Sequence, residues 1–589
     1  MNIPTPDIAG TAGTSAADLH RLGPEIFVSF PVRRSAEARL LWLNDRHWLE
    51  NGVDVTDPEV RSWLTAELVE RFAVTACRPE EADHWLQADR YGGSFGSPHG
   101  GSGRCGSLGD LSGKGVGRTP LCAVDLADHC NGRLPMEEAI REAISAEIAH
   151  IELPYGSVPV VAILGFSNIA DGDAIVVRPN CIRPAHFERS IFFGSAGLEG
   201  SDQRRDAIRT EDAVRAAELD SGGLADVGGM FRKFAQQIGA SFAHRLWQGR
   251  FLTSNISVTG ALLDFGSFRA VPSWRRFVGL PEETFGLEHH YLQIAWRSVI
   301  SSFRKYSQDP RTLPWEFNVS FQRDIEEAFA AATREALALP EDQQTSSRVV
   351  SVLHAYALEQ QRQVVAINQR SAWRMPWIGD LEEVGLGPCT TRSESELLRE
   401  ITSLLGSSEE DEQPAGRALR PALKRWTIPR RDLYYERSSL LLRRVARRLR
   451  HDGNRGPALL KMLITLILSR SIRSWPGLKS CLEIRAQTHA GHSTVLYCFD
   501  HSTQHHLALV RGTRCQGGGE NIWGRTIKPG KDPPDQGWHE VRCAPDALHK
   551  GATATLGEVS VALPSAQGFF GAPALATPLI FAEFRTFSS

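Results

Sequence analysis

Ten cysteines lie scattered along 589 residues, and no two of them form a Cys-x-x-Cys pair. That spacing excludes the common zinc modules and argues against a disulfide framework, so a reduced compartment is expected. Long apolar runs are also missing. The greasiest stretch, 459–468, carries Lys461 and falls well short of the roughly 20 residues that a membrane helix needs. The first twenty residues have neither a basic start nor an apolar segment, and no signal peptide is read there. Charge of one sign is lacking too. Lys and Arg number 66 against 69 Asp and Glu, a net charge of −3, so no global basic field calls for nucleic acid. No internal repeat is present. These absences leave a cytoplasmic globular protein with neither membrane nor nucleic acid as an expected partner.

What is present is an ordinary soluble composition, 42% hydrophobic and 23% charged, on a chain too long for one core. Residues 1–24 read as a loose N-terminus. Strand-like runs follow at 26–32 and 40–44, then a helix over 59–72 with Val60, Trp63, Leu64, Leu68 and Phe72 at helical spacing. Residues 91–118 are so dense in glycine that they read as a loop region ending in Lys114, with backbone free to pass close to a phosphate. Pro135–His150 predicts a helix: Pro at its start, two Glu in the first turns, and Ile140, Ile144 and Ile148 four apart. Strands are expected at 158–165 and 174–178, and a helix at 231–247. From about 285 to 475 the pattern is helical (320–338, 347–370, 394–405, 433–450, 457–470), broken by an acidic linker at 406–416. Beyond 476, short strands between Gly, Pro and His turns predict a β-rich C-terminal domain over 476–589.

The chemistry concentrates in the first half. Asn255, an apolar run broken by Gly260, and Asp264-Phe265-Gly266 form the pattern by which a kinase-like site holds Mg²⁺ through an amide oxygen and a carboxylate. Upstream stand Lys114 and Gly115, placed to meet nucleotide phosphates. Glu142 follows 28 positions later on a helix, where it can hold the lysine ammonium, and Arg183 offers a bidentate fork for phosphate. Lys114, Gly115, Glu142 and Arg183 are the candidate ATP-binding residues, and Asn255 and Asp264 the candidate metal ligands. No catalytic base is assigned.

These segments resemble the SelO family, pseudokinase-fold enzymes that transfer AMP from ATP to protein hydroxyls. Tyr91-Gly92-Gly93-Ser94-Phe95-Gly96 resembles the family's YxGHQFG block. Ser112-Gly113-Lys114-Gly115-Val116-Gly117-Arg118-Thr119-Pro120 resembles its QLKGxGxTP, and Asn131-Gly132-Arg133 with Ala139-Ile140-Arg141-Glu142 resembles its DGRAVLRSSIREF block. Arg178 through Glu188 resembles APSxxRxGHFE, and Gln248 through Gly266 resembles HGVxNTDNMSxxGxTIDYGPFG. The resemblance covers roughly residues 25–300. It implies an α+β, two-lobed protein-kinase-like fold over 25–320, with a helical extension over 321–475 and the β-rich module after it. It also implies ATP and Mg²⁺ as cofactors, and a protein or peptide substrate. The chain departs from the pattern where the family has Asp-Asn: here stand Ser254-Asn255, and a hydroxyl cannot act as a base near neutral pH. A SelO-like half before a long foreign C-terminal half is also similar to the MchC proteins of microcin gene clusters, implicated in attaching a siderophore to a peptide.

Two clusters keep alternatives open. The basic stretch 417–455 suits an acidic peptide or nucleic acid, or pairs with the acidic linker at 409–412. His489, His492, His501, His505 and His506, with Cys498 and Cys515, suit a metal or are turn residues; their spacings match no standard zinc pattern. Two functions are therefore carried forward. One is a nucleotidyltransferase acting on a protein or peptide, with microcin maturation as a variant. The other is a pseudoenzyme that holds a peptide or partner enzyme without turnover.

Overall fold

A computed structural model describes residues 17–93, 100–122, 131–166, 173–190, 203–220, 224–249, 251–278, 284–308, 320–337, 344–368, 380–385, 456–471 and, beyond these, separate C-terminal strands and a few positions between 430 and 446. The first half is organised on one antiparallel eight-stranded sheet. Its strands are β1 (Phe27–Arg34), β2 (Ala38–Leu43), β3 (Val74–Ala76), β4 (His84–Asp89), β5 (Cys105–Leu108), β6 (Leu111–Lys114), β7 (Ala162–Phe166) and β8 (Ala174–Pro179). They lie in the order β2-β7-β8-β6-β5-β4-β1-β3.

The helices are α1 (Ala17–Arg21), α2 (Asp45–Glu50), α3 (Pro58–Phe72), α4 (Met136–Glu152), α5 (Gln203–Leu219), α6 (Val227–His244), α7 (Glu288–Tyr306), α8 (Ser320–Leu337), α9 (Gln344–Gln360) and, after a gap in the described residues, α10 (Gly456–Ser471). Their starts have local causes. Asp57 caps α3, accepting from Glu59 N at 2.7 Å with Pro58 at the first helical position, and Asp226 caps α6 by accepting from Gly229 N at 2.7 Å. Pro135 precedes α4, whose first turn carries Glu137 and Glu138 against the helix dipole.

The sheet is covered on both faces, which is why β6, β7 and β8 are buried along their whole length. Side chains alternate between two apolar clusters. Ala162, Leu164, Ile175 and Val177 pack with Leu64, Leu68 and Phe72 of α3. Ile163 and Val176 pack with Ala139, Ile140 and Ala143 of α4 and with Phe231 and Phe234 of α6. Each large aliphatic side chain fully buried in this way contributes about 1.5–3 kcal/mol.

Two expectations need correction. The glycine-dense stretch 91–118 contains β5 and β6 rather than loop alone. Its glycines open room for neighbouring side chains: a Cβ at Gly106 would lie 2.7 Å from Phe30 and Leu86. The region 285–475 is not wholly helical either. After the short antiparallel pair β9 (Leu246–Trp247) and β10 (Arg269–Ala270) comes β11 (Arg276–Val278). The helix expected over 347–370 ends at Gln360, and β12 (Val364–Asn368) pairs parallel with β11 and antiparallel with β13 (Asp380–Gly385). Val364 and Val365 favour a strand, and β11 offers an edge for them.

After 476, β14 (Lys479–Thr488), β15 (Gly491–Asp500), β16 (His505–Thr513), β17 (Glu520–Ile527) and β18 (His539–Glu540) run as antiparallel neighbours in a six-stranded sheet, whose sixth strand, Leu575–Ala576, pairs parallel with β14. The expected helix 394–405, the linker 406–416 and most of the basic stretch lie outside the described residues, as do His489, His501 and Cys515. No described helix is long and apolar enough to cross a membrane.

Candidate functional site

Alternation along β6 sets the direction of Lys114. Leu111 belongs to the α3 side and Gly113 faces Phe72 and Ile175 there, so Ser112 and Lys114 point to the α4 side. The register places Cys105 and Val176 on either side of Lys114, and Arg178 opposite Ser112. Arg178 therefore shares the face of Lys114, one step along the next strand. Gly115, which follows, has φ 106°, and a Cβ there would lie 2.4 Å from the Ala174 carbonyl oxygen. Its glycine is explained by that turn.

On α4, Glu138 and Glu142 stand one helical turn apart and face the sheet. The third element is the loop 253–266. Leu263 N donates to Asn255 O at 3.0 Å and Ser257 N to Ala261 O at 2.8 Å, closing a narrow hairpin. Val158 N donates to Leu262 O at 2.8 Å and anchors it to the segment that follows α4. Gly260 at φ 94° makes its turn against the Tyr155 ring. The hairpin sets Asn255 and Asp264 beside each other at its open end. Asp264 has φ 61°, a left-handed conformation that Asp tolerates better than most residues.

These three elements meet on one ammonium. Lys114 Nζ contacts Glu142, lies 2.9 Å from Asp264 Oδ1 and 3.7 Å from Glu138 Oε1. Arg104 donates to Glu138 Oε1 at 2.7 Å and to the Arg133 carbonyl at 2.9 Å. Oxygens of Glu138, Glu142 and Asp264 all lie within 4.8 Å of one another. Lys114 and Glu142 are buried, at 2% and 1% exposure, whereas the Asp264 side chain is 41% exposed and forms the open mouth of the cluster. Burial alone lowers the Lys114 pKa, and the Asp264 and Glu142 carboxylates more than reverse it, so the amine stays protonated. Burial raises Asp264, and Lys114 with Arg104 pulls it well below the usual carboxylate range.

A second constellation adjoins the first through Ser254. Arg183 Nη1 donates to Ser254 O at 3.2 Å, and its guanidinium lies 4.9 Å from the centre of the Tyr91 ring. Its backbone N–H donates to His186 Nδ1 at 2.9 Å, so the imidazole proton is on Nε2, which lies 3.2 Å from Asp89 Oδ2. Thr253 Oγ1 donates to Glu188 Oε2 at 2.5 Å, and burial pushes that carboxyl up to about 7.

Of the residues singled out in the sequence, the structure brings Lys114, Glu142 and Asp264 together. Asn255 stands beside Asp264 through the hairpin, and its Oδ1 accepts from Ser254 Oγ at 3.3 Å. Arg183 reaches the loop backbone rather than the lysine. Four residues were missed. Glu138 was readable as one turn before Glu142, and Arg178 and Glu188 are the ends of a stretch quoted above but were given no role there. Arg104 carries no such local signal. Ser94, Phe95 and Gly96 lie outside the described residues. No family model matches the chain, and no curated protein matches it.

Proposed function

We propose that the chain is an ATP- and Mg²⁺-dependent nucleotidyltransferase that passes AMP to a protein or peptide, on a two-lobed kinase-like fold. The observation that carries this reading is the convergence of Lys114, Glu142 and Asp264 from a strand, a helix and a loop that are distant in sequence. A lysine held by a helix glutamate, with an aspartate at the mouth, is the arrangement by which kinase-like sites orient nucleotide phosphates. The eight-stranded sheet with α4 would form one lobe, and the helices with the 253–266 loop the other.

The donor set suits a hard cation. Asp264 presents a half-exposed carboxylate of which Lys114 holds one oxygen, and Asn255, whose backbone carbonyl accepts from Leu263 N, would add an amide oxygen. Asp264 and Asn255 would hold Mg²⁺, which supplies neutralisation of phosphate charge when bound. Lys114, Arg178 and Arg183 supply fixed positive charge toward the same mouth, with Glu142 and Glu138 positioning the lysine. In the transfer, an acceptor hydroxyl oxygen bonds to the α-phosphorus, the bond from that phosphorus to the bridging oxygen breaks, and pyrophosphate leaves. The hydroxyl proton passes to solvent, because Ser254 offers no carboxylate and Glu188 is buried behind Thr253.

That same observation favours a second reading, nucleotide binding without turnover in support of a peptide or partner enzyme. The test compares wild type with Asp264→Asn, which keeps the left-handed backbone that Asn also tolerates. ATP with Mg²⁺ should raise the wild-type melting temperature by mass action and leave the variant unmoved. Label from α-labelled ATP should appear on a peptide substrate with wild type only. Transfer that survives in Asp264→Asn would overturn the assignment, and a melting shift without transfer would select the second reading.

A further inference from the structure

The basic stretch after residue 417 has a use that neither an acidic ligand nor the acidic linker explains. Its two described arginines with resolved ion pairs both reach α4, one at each end. Arg430 Nη1 lies 2.7 Å from Glu152 Oε2, with both side chains buried. Arg443 Nε lies 3.2 Å from Glu137 Oε2 in the first turn of α4. Between them Leu433, Leu442 and Ile467 of this segment face Ile144 and Ser145 of α4 and Phe268 across a small cavity. Phe268 in turn packs edge-on to Phe265, the residue after Asp264.

α10 continues the contact. Leu460, Ile464 and Ile467 are buried in the cluster that contains α4, and Lys461 Nζ lies 2.5 Å from Asp45 Oδ2 of α2. Next to Asp45, Arg46 forks onto Glu147 of α4 at 2.7 and 2.8 Å, and Asn44 donates to the same carboxylate. α4 is thus held at its first turn, at Glu147 and at its last residue by groups other than Lys114.

We infer that Arg430, Leu433, Leu442, Arg443 and α10 form an intramolecular strap whose Arg430, Arg443 and Lys461 are positioning residues, setting α4 so that Glu142 and Glu138 meet Lys114. The strap acts on the pairing itself; its consequence for nucleotide affinity rests on the function proposed above. A helix that carries a buried ion-pair partner must be fixed along its axis, because a shift of one residue turns Glu142 by about 100° away from the sheet. Pairs at both ends oppose such a slide, and the apolar contacts at 460, 464 and 467 oppose its lifting away. Charge-matched ends specify position where apolar packing alone tolerates sliding.

The test is hydrogen exchange on the full chain, without nucleotide, so that it stands apart from the site reading. Arg443→Glu with Lys461→Glu should make amides of 136–152 exchange roughly tenfold faster while those of 227–244 stay as in wild type. Glu137→Arg with Arg443→Glu, which restores one pair in reverse, should bring α4 back toward wild-type exchange. Unchanged α4 exchange, whether or not 456–471 loosens, would overturn the strap. If the double reversal loosens the whole chain, the half-exposed Arg443→Glu alone decides by the same comparison. ATP-induced stabilisation of wild type is then scored separately: its absence would sink the nucleotide reading and leave the exchange result to judge the strap.

Discussion

Lys114 Nζ lies 2.9 Å from Asp264 Oδ1, joining the end of β6 to a loop 150 positions later, and the same ammonium contacts Glu142. Both contacts sit over a third carboxylate, Glu138, so one buried cation separates three acids, of which Asp264 opens to solvent. Such a group is costly to break from one side. Removing one partner of a buried ion pair typically costs about 3–5 kcal/mol, because the remaining charge is left without compensation.

Lys114→Met should therefore destabilise the fold strongly, and by more at pH 8 than at pH 5. Without the ammonium, Glu138, Glu142 and Asp264 repel one another and take up protons more readily, so acid relieves part of the loss. Denaturant unfolding of wild type and variant at the two pH values measures this. Lys114→Met combined with Glu142→Met should recover part of the loss at pH 8. An equal loss at both pH values would mean that the three carboxylates do not feel one another once the lysine is gone.

Glu188 gives a pH dependence of the opposite origin. Burial raises its carboxyl from 4.5 to about 7, with the Thr253 hydroxyl bond opposing the rise. The native state thus holds a proton that the unfolded chain releases near 4.5. Stability linked to that proton is complete below 4.5, declines as pH rises, and is gone above about 7. The span corresponds to roughly 3 kcal/mol. Glu288, also raised to about 7, adds a decline in the same direction. The difference between wild type and Glu188→Gln isolates the first group: Gln should gain on wild type by up to that amount between pH 5 and 8, through unfolding curves taken across the range. A pH-independent difference would show that Glu188 is ionised in the fold at both ends.

How much of this was legible in the sequence varies by element. α4 announced itself through Pro135, the paired Glu and the Ile residues four apart, and its described ends fall within two residues of that reading. β6 did not, because glycines at 113, 115 and 117 read as loop when they in fact serve close packing and turns. The strand Val364–Asn368 was hidden because its apolar run continues the helical pattern before it, and only an edge at β11 decides between them. Candidate residues at the mouth were visible where a known pattern fixed their spacing, as for Lys114, Glu142 and Asp264. Arg104, paired with Glu138 across 34 positions, and Arg443, paired with Glu137 across 306, depend on topology that no local pattern contains.

Ser254 is the position at which a single change should separate the two proposed functions. It is partly exposed, its hydroxyl donates to Asn255 Oδ1 at 3.3 Å, and its carbonyl accepts from Arg183, so its backbone is held while its side chain borders the mouth. On the function proposed above, a carboxylate there would border the mouth and supply the base that Ser254 does not offer. Positioned general bases contribute about 10²–10⁴-fold. Ser254→Asp should therefore raise the initial rate of AMP transfer from α-labelled ATP by a factor in that range, with its gain rising with pH as the new acid ionises. Nearby Arg183 favours the ionised form, so the variant should fold and bind nucleotide at least as well as wild type. Ser254→Asn serves as the control of equal size without a base, and should show no gain. Equal rates in the Asp and Asn variants would mean that proton removal does not limit the step, and that the wild-type serine is not what holds turnover down.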